Sequence, residues 1–245
     1  LKRHKMKTNL ILNKFVAFTM AEVLLVVAII GITAALALPN LSQGIDEDKY
    51  VMMAKATYSE LDSGFSRMLA NKSLGEIYTD ANASTDAQRC KAIVDELSKY
   101  VKMGKNCGNS LTQCYNSSKS YKKADGSVID DTWPSGKSSN SAAFTLLSGA
   151  VVIVYGNDER IRVDFDVDGE KGPCKCNVDI FRAAIDHVNL DSLTANLQYW
   201  VDESEKAGDA YLDTDYDALE WVLSKGNMDY LHCNDLNWST KNQCD

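Results

Sequence analysis

Histidine is scarce in this chain: His4, His187 and His232 are the only three among 245 residues. No HExxH, GxSxG, Walker loop or GxGxxG occurs, which removes the enzyme classes that depend on those arrangements for zinc, an activated serine, a nucleotide phosphate or a dinucleotide. A hydrolase built on paired carboxylates stays open because such pairs keep no fixed spacing, but the chain reads as something other than an enzyme. Basic residues are also in deficit, 26 Lys and Arg against 34 Asp and Glu. Lys2, Arg3, Lys5, Lys7 and Lys14 fall in the first 17 residues, where there is no acid, so the remainder holds 21 bases against 34 acids, a net of -13. So acidic a surface repels polyphosphate, and no nucleic-acid partner is expected.

One stretch lacks charge altogether. From Val23 to Leu38 every side chain except Thr33 is apolar or Gly, and a helix from Phe18 to Leu38 would be roughly 31 Å long, about the thickness of a bilayer's hydrocarbon core. Near its start lies a single carboxylate, Glu22, which is costly in lipid and therefore calls for a partner. Bases precede the stretch and Asp46, Glu47 and Asp48 follow it. That asymmetry keeps the N-terminus cytoplasmic and exports residues 40–245. Seven cysteines in an exported region read as disulfides rather than metal ligands; an odd count leaves at least one outside an intrachain pair.

After Pro39, apolar residues recur at Leu41, Ile45, Met52, Ala54, Tyr58, Leu61, Phe65 and Met68 with charges between them. Steps of mostly three and four predict an amphipathic helix to about Leu69, weakened a little by Gly64. The apolar span then runs, through a bend at Pro39, into one helix of roughly 50 residues. A competing reading takes Ala35-Leu36-Ala37 as a signal-peptidase site, which would release a soluble binding or adhesive domain after Ala37.

The basic start, Phe18-Thr19-Met20-Ala21-Glu22 and the apolar run with Gly31 and Pro39 together resemble the N-terminus of type IV pilins and type II secretion pseudopilins. The resemblance implies a leader over 1–17, cut between Ala17 and Phe18 by a prepilin peptidase that methylates the new amino group. Ala17 departs from the Gly usual there. It further implies an assembly helix over 18–39 and an exported pilin-like domain over 40–245. In this α+β fold the outer half of the long helix packs on a small antiparallel sheet, with extra C-terminal helices. Glu22 would pair with the Phe18 ammonium of a neighbouring subunit, and the stretch around Gly31 and Pro39 would unwind in filaments. The implied partners are the peptidase, copies of the chain and other pilins or pseudopilins, an inner-membrane assembly platform and the lipid bilayer. The implied location is the bacterial inner membrane, then a periplasmic or cell-surface filament.

Downstream, Thr85 to Val101 has helical periodicity with Ser84 or Thr85 as cap. A Ser, Lys and Asn-rich loop is expected next, with Cys107 and Cys114 as a candidate disulfide and loop composition from Asn116 to Ser141. Ala143–Leu147, Ser148-Gly149 and Val151–Tyr155 read as a hairpin. Arg160 to Asp168 alternates, with Ile161, Val163, Phe165 and Val167 on one face and Arg162, Asp164, Asp166 and Asp168 on a solvated one. Phe181 and Ile185 extend the sheet. Asp164-x-Asp166-x-Asp168-Gly169 has the opening spacing of an EF-hand loop, but its twelfth position is Lys175, so an EF-hand is excluded. No cofactor is expected, though a looser calcium site on Asp164, Asp166 and Asp168 stays open. Leu190 to Val201 and Tyr216 to Leu223 predict helices, the second ending near Gly226. Cys233 and Cys244 frame a second candidate disulfide.

Overall fold

The computed structural model describes residues 19–116, 121–123, 126–127, 140–156, 160–169, 171–186, 198–199, 218–233, 235–236, 238 and 240–244, without the side chains of 34–45, 160, 186 and 198–199. Two units result, Leu1–Gly44 and Ile45–Asp245. In the first, the backbone is helical from the start of α1 (Met20–Asn71). Thr19 sets that start. Glu22 Oε2 accepts hydrogen bonds from the Thr19 amide at 2.8 Å and the Thr19 hydroxyl at 2.9 Å, and the Glu22 amide donates to Thr19 Oγ1 at 3.2 Å. This reciprocal cap satisfies donors that a helix start otherwise leaves orphaned. Every side chain from Met20 to Thr33 is exposed. Among the described residues no helix is long and apolar enough to cross a membrane; the described side chains of the apolar stretch end at Thr33.

The second unit is α+β. An open antiparallel meander is formed by β1 (Met103–Gly108), β2 (Ser141–Leu146), β3 (Val151–Gly156), β4 (Arg160–Asp166) and β5 (Ile180–Asp186), with the two-residue β6 (Gln198–Tyr199) beyond β5. The β2–β3 hairpin forms as the alternation predicts, turning at Gly149 with φ +97°, a conformation that Gly adopts without strain. β4 and β5 pair over their full length, from Arg160↔Asp186 to Asp166↔Ile180.

One sheet face carries the main core. Ala142, Phe144, Leu146, Val152, Val154, Ile161, Val163, Phe165, Phe181, Ala183 and Ile185 cluster with Tyr50, Val51, Ala54, Leu61, Phe65, Met68 and Leu69 of α1. These α1 positions recur at three- and four-residue steps, so one helix stripe covers the sheet. Helix α3 (Asp86–Leu97) is capped by Thr85 and Gln88 and adds Cys90, Ile93, Val94 and Leu97. Gly64 has a packing reason: a Cβ there would lie 2.2 Å from Val101 Cγ1 and 3.3 Å from Leu97 Cδ1. Only Gly allows α1 so close to the end of α3. Helix α4 (Ala218–Lys225) buries Leu219, Trp221 and Val222 and stops at Gly226, φ +77°, in the αL conformation common just past a helix end.

The second sheet face is not solvated. Ala143, Val151, Ile153, Tyr155 and Ile180 form a smaller core with Cys107, Leu111, Tyr115, Tyr121, Cys174 and Cys176. Loop segments supply the cover, and Lys122 holds part of it. Its amide donates to the Cys174 carbonyl at 3.0 Å, and its carbonyl accepts from the Cys176 amide at 2.9 Å. Covering this face buries Asp164, Asp166 and Asp168, at 0, 1 and 4% exposure, which corrects the solvated strand face expected from alternation. Two further corrections concern local structure. The loop expected after Val101 begins instead with edge strand β1, paired to β2 with two irregularities. In the Leu190–Val201 helix reading, Gln198 and Tyr199 pair with Ala184 and Ala183 of β5, and the other residues of that stretch lie outside the described ones. Helix α2 (Leu74–Asp80), which periodicity missed, is announced by the capping box Ser73-x-x-Glu76.

Candidate functional site

The N-terminal candidates are partly described. Ala17 and Phe18 lie outside the described residues. Glu22 is on the first turn of α1, where both of its carboxylate hydrogen bonds go to Thr19. Gly31 has nothing within 4 Å of the position a Cβ would take. The Pro39 backbone belongs to α1, and its side chain lies outside the described residues.

Both candidate disulfides form, Cys107–Cys114 and Cys233–Cys244. The first closes a loop holding the short 3-10 turn Leu111–Gln113 and lies at the rim of the second core. The second pins the C-terminal segment. Around it, Asp229 Oδ2 accepts from the Cys244 amide at 2.7 Å, and the Tyr230 hydroxyl donates to the Asn177 carbonyl at 2.6 Å. His232 Nε2 sits 2.9 and 3.0 Å from the Glu47 carboxylate oxygens of α1. Cys90, Cys174 and Cys176 stand outside the two disulfides and are buried.

The acidic end of β4 divides into two environments. Asp164 faces Arg182 directly across the β4–β5 ladder. Arg182 Nε donates to Asp164 Oδ1 at 2.7 Å and Nη2 to Oδ2 at 3.0 Å, while the Tyr155 hydroxyl donates to Oδ1 at 3.2 Å. A bidentate guanidinium occupies both oxygens in fixed geometry. Asp164 is thereby an ion-pair partner of Arg182 and stands apart from the group that Asp166 and Asp168 form.

Asp166 and Asp168 instead meet Asp179, a residue that sequence spacing missed. One carboxylate oxygen from each of the three lies within 4.8 Å of the others, and all three side chains are buried. Backbone amides orient them: Asp166 Oδ1 accepts from Asp168 and Gly169, and Asp168 Oδ1 accepts from Lys171. Asp179 Oδ2 accepts from Cys174 at 2.8 Å and Oδ1 from Lys175 at 2.6 Å. The segment that makes this cradle holds Cys174 and Asn177 at positive φ, 51° and 61°, conformations uncommon for residues with a Cβ. Burial pushes the Asp179 carboxyl up to about 6; the amides of Lys175 and Cys174 oppose this and the Asp168 charge adds to it. Burial likewise raises the Tyr50 phenol to about 12, with the charge of Asp168 next in effect. Three buried carboxylates sharing one small volume suit a hard divalent cation with oxygen ligands.

Compared with family models, curated proteins and solved structures, the chain matches none.

Proposed function

We propose that the chain is a structural subunit of a type IV pilus or type II secretion pseudopilus and acts by assembly rather than catalysis. In this reading a prepilin peptidase removes residues 1–17 and methylates Phe18. The apolar stretch is held in the inner membrane, then passes into a filament whose core is a bundle of such helices. The globular unit faces outward and carries the specificity of the filament.

The observation that supports this best is the exposure of Met20–Thr33 on all sides. An α-helix apolar all round belongs in lipid or inside a helix bundle, not in water. Sequence length continues the uncharged run to Leu38, far enough to span the hydrocarbon core. The outer part of α1, by contrast, has a polar face and a buried stripe, as expected of a helix that leaves the bundle to carry a domain. Glu22 then fits as the register element. Two charges that are each unfavourable in lipid become one hydrogen-bonded pair when Glu22 of one subunit meets the Phe18 ammonium of the next.

The test is Glu22→Ala. Peptidase cleavage is expected to proceed, while recovery of the subunit in sheared filaments falls at least tenfold. Normal incorporation of this variant would refute the ion-pair role. Ala35-Leu36-Ala37 favours a second reading, release of a soluble binding domain after Ala37, in which Glu22→Ala changes neither secretion nor the product's mass.

A further inference from the structure

Five asparagines open an Asn-x-Ser triplet: Asn40, Asn71, Asn82, Asn116 and Asn237. That triplet is the acceptor pattern for N-linked glycans in exported chains, where the asparagine must be presented at the surface. The structure separates the five. The side chains of Asn40 and Asn237, and the Ser118 that completes the Asn116 triplet, lie outside the described residues. Asn71 belongs to α1, and its Nδ2 donates to the Arg67 carbonyl at 2.7 Å, so the nitrogen that would carry a sugar is already engaged.

Asn82 is placed differently. It lies just past the end of α2 at φ +49°. Its amide donates to the Thr79 carbonyl at 3.1 Å, and the Ala83 amide donates to the Tyr78 carbonyl at 2.9 Å, the paired bonds that close a helix around one αL residue. Gly takes such a position most readily; Asn takes it where its side chain can bond to nearby backbone. Asn82 makes no use of that: its side chain is exposed and forms no hydrogen bond among the described residues. Ala83 packs against the main core, and on either side of it Asn82 and Ser84 are exposed. Ser84 Oγ is held only by an exposed bond to Gln88 Oε1 at 3.0 Å. Asp80, two residues before Asn82, has a side chain 64% exposed. One surface turn therefore presents an amide, a hydroxyl and a carboxylate within five residues.

We propose that Asn82 is an N-glycosylation site, read by a membrane transferase through Ser84 and Asp80 and supplied by an oligosaccharide linked through a diphosphate to a lipid. In the transfer, Asn82 Nδ2 forms a bond to the anomeric carbon of the first sugar. The bond from that carbon to the diphosphate oxygen breaks, its electron pair leaves with the lipid diphosphate, and a base of the transferase takes the amide proton. No oxidant or reductant is needed. The proposal rests on export of residues 40–245, which both readings of the function share.

The test is tandem mass spectrometry of the full chain recovered from its native membrane and cut with trypsin, which places Asn82 as the single asparagine of the peptide 73–89. That peptide is expected to carry the added mass of an oligosaccharide and to release sugar fragment ions. Asn82→Gly, which suits the αL backbone, is expected to remove the added mass in a chain that still folds. Ser84→Ala keeps the asparagine yet is expected to lower the modified fraction at least tenfold, whereas Ser84→Thr retains it. An unmodified Asn82 in a chain whose Cys107–Cys114 and Cys233–Cys244 bonds have formed overturns the proposal and leaves export standing. Reduced cysteines together with an unmodified Asn82 overturn export, and the proposal with it. A sugar that persists undiminished in Ser84→Ala overturns the assigned acceptor pattern.

Discussion

Helix α1 contains two stretches of similar apolar content and opposite circumstances. Between Met20 and Thr33 the side chains are exposed on every side of the helix; between Tyr50 and Leu69 the apolar residues other than Met52 fall largely on one stripe packed into the main core. Angular distribution makes the difference. An apolar stripe flanked by charges can be satisfied by one sheet, whereas an apolar cylinder needs surroundings on all sides. The outer stretch is therefore explained within this chain, and the inner one calls for lipid or other helices.

Substitutions sharpen that contrast. Phe65→Ala removes a fully buried ring from the stripe and is expected to destabilise the α+β unit by about 3–5 kcal/mol, read as a lower denaturant midpoint. Ile29→Asp places a charge in the exposed apolar stretch. On the proposed assembly reading it is expected to disfavour membrane insertion by about 3 kcal/mol, read as loss from the membrane fraction with an unchanged melting profile of the α+β unit. Gly64→Ala gains helix propensity but drives a Cβ into Val101, so a net loss of about 1–3 kcal/mol is expected. Met52 lies on the outer stretch yet faces solvent. Met52→Ser is expected to change stability by less than about 0.5 kcal/mol, and a large effect would break the assignment of the stripe.

Where the chain was legible, one face of each element decided its packing. The α1 stripe from Ala54 to Met68, α3 with its Thr85 cap, the β2–β3 hairpin and the apolar side of β4 follow from local spacing, whereas Met52, which spacing places on the stripe, is exposed, and the side chains of Leu41 and Ile45 lie outside the described residues. The polar side of β4 did not, because its cover comes from Cys107–Tyr115, Tyr121 and Cys174–Cys176, and alternation carries no information about distant loops. For the same reason Asp164 was grouped with Asp166 and Asp168 by spacing, while the pairing register that sets Arg182 opposite it lies outside any local pattern. Asp179 and Tyr50 reach the acidic turn only through the tertiary fold. Strand β1 was obscured by Gly104, Lys105 and Asn106, which give no alternation on an edge strand with two register shifts. The signal for α2 was present, in Ser73 and Glu76, but as a cap rather than a period.

The intact mass of the mature chain recovered from its native membrane tests the assembly reading most directly. The account predicts a chain that begins at N-methylated Phe18. A chain that begins at Leu38 would contradict it, because the apolar stretch would then have been discarded as a signal rather than kept for assembly.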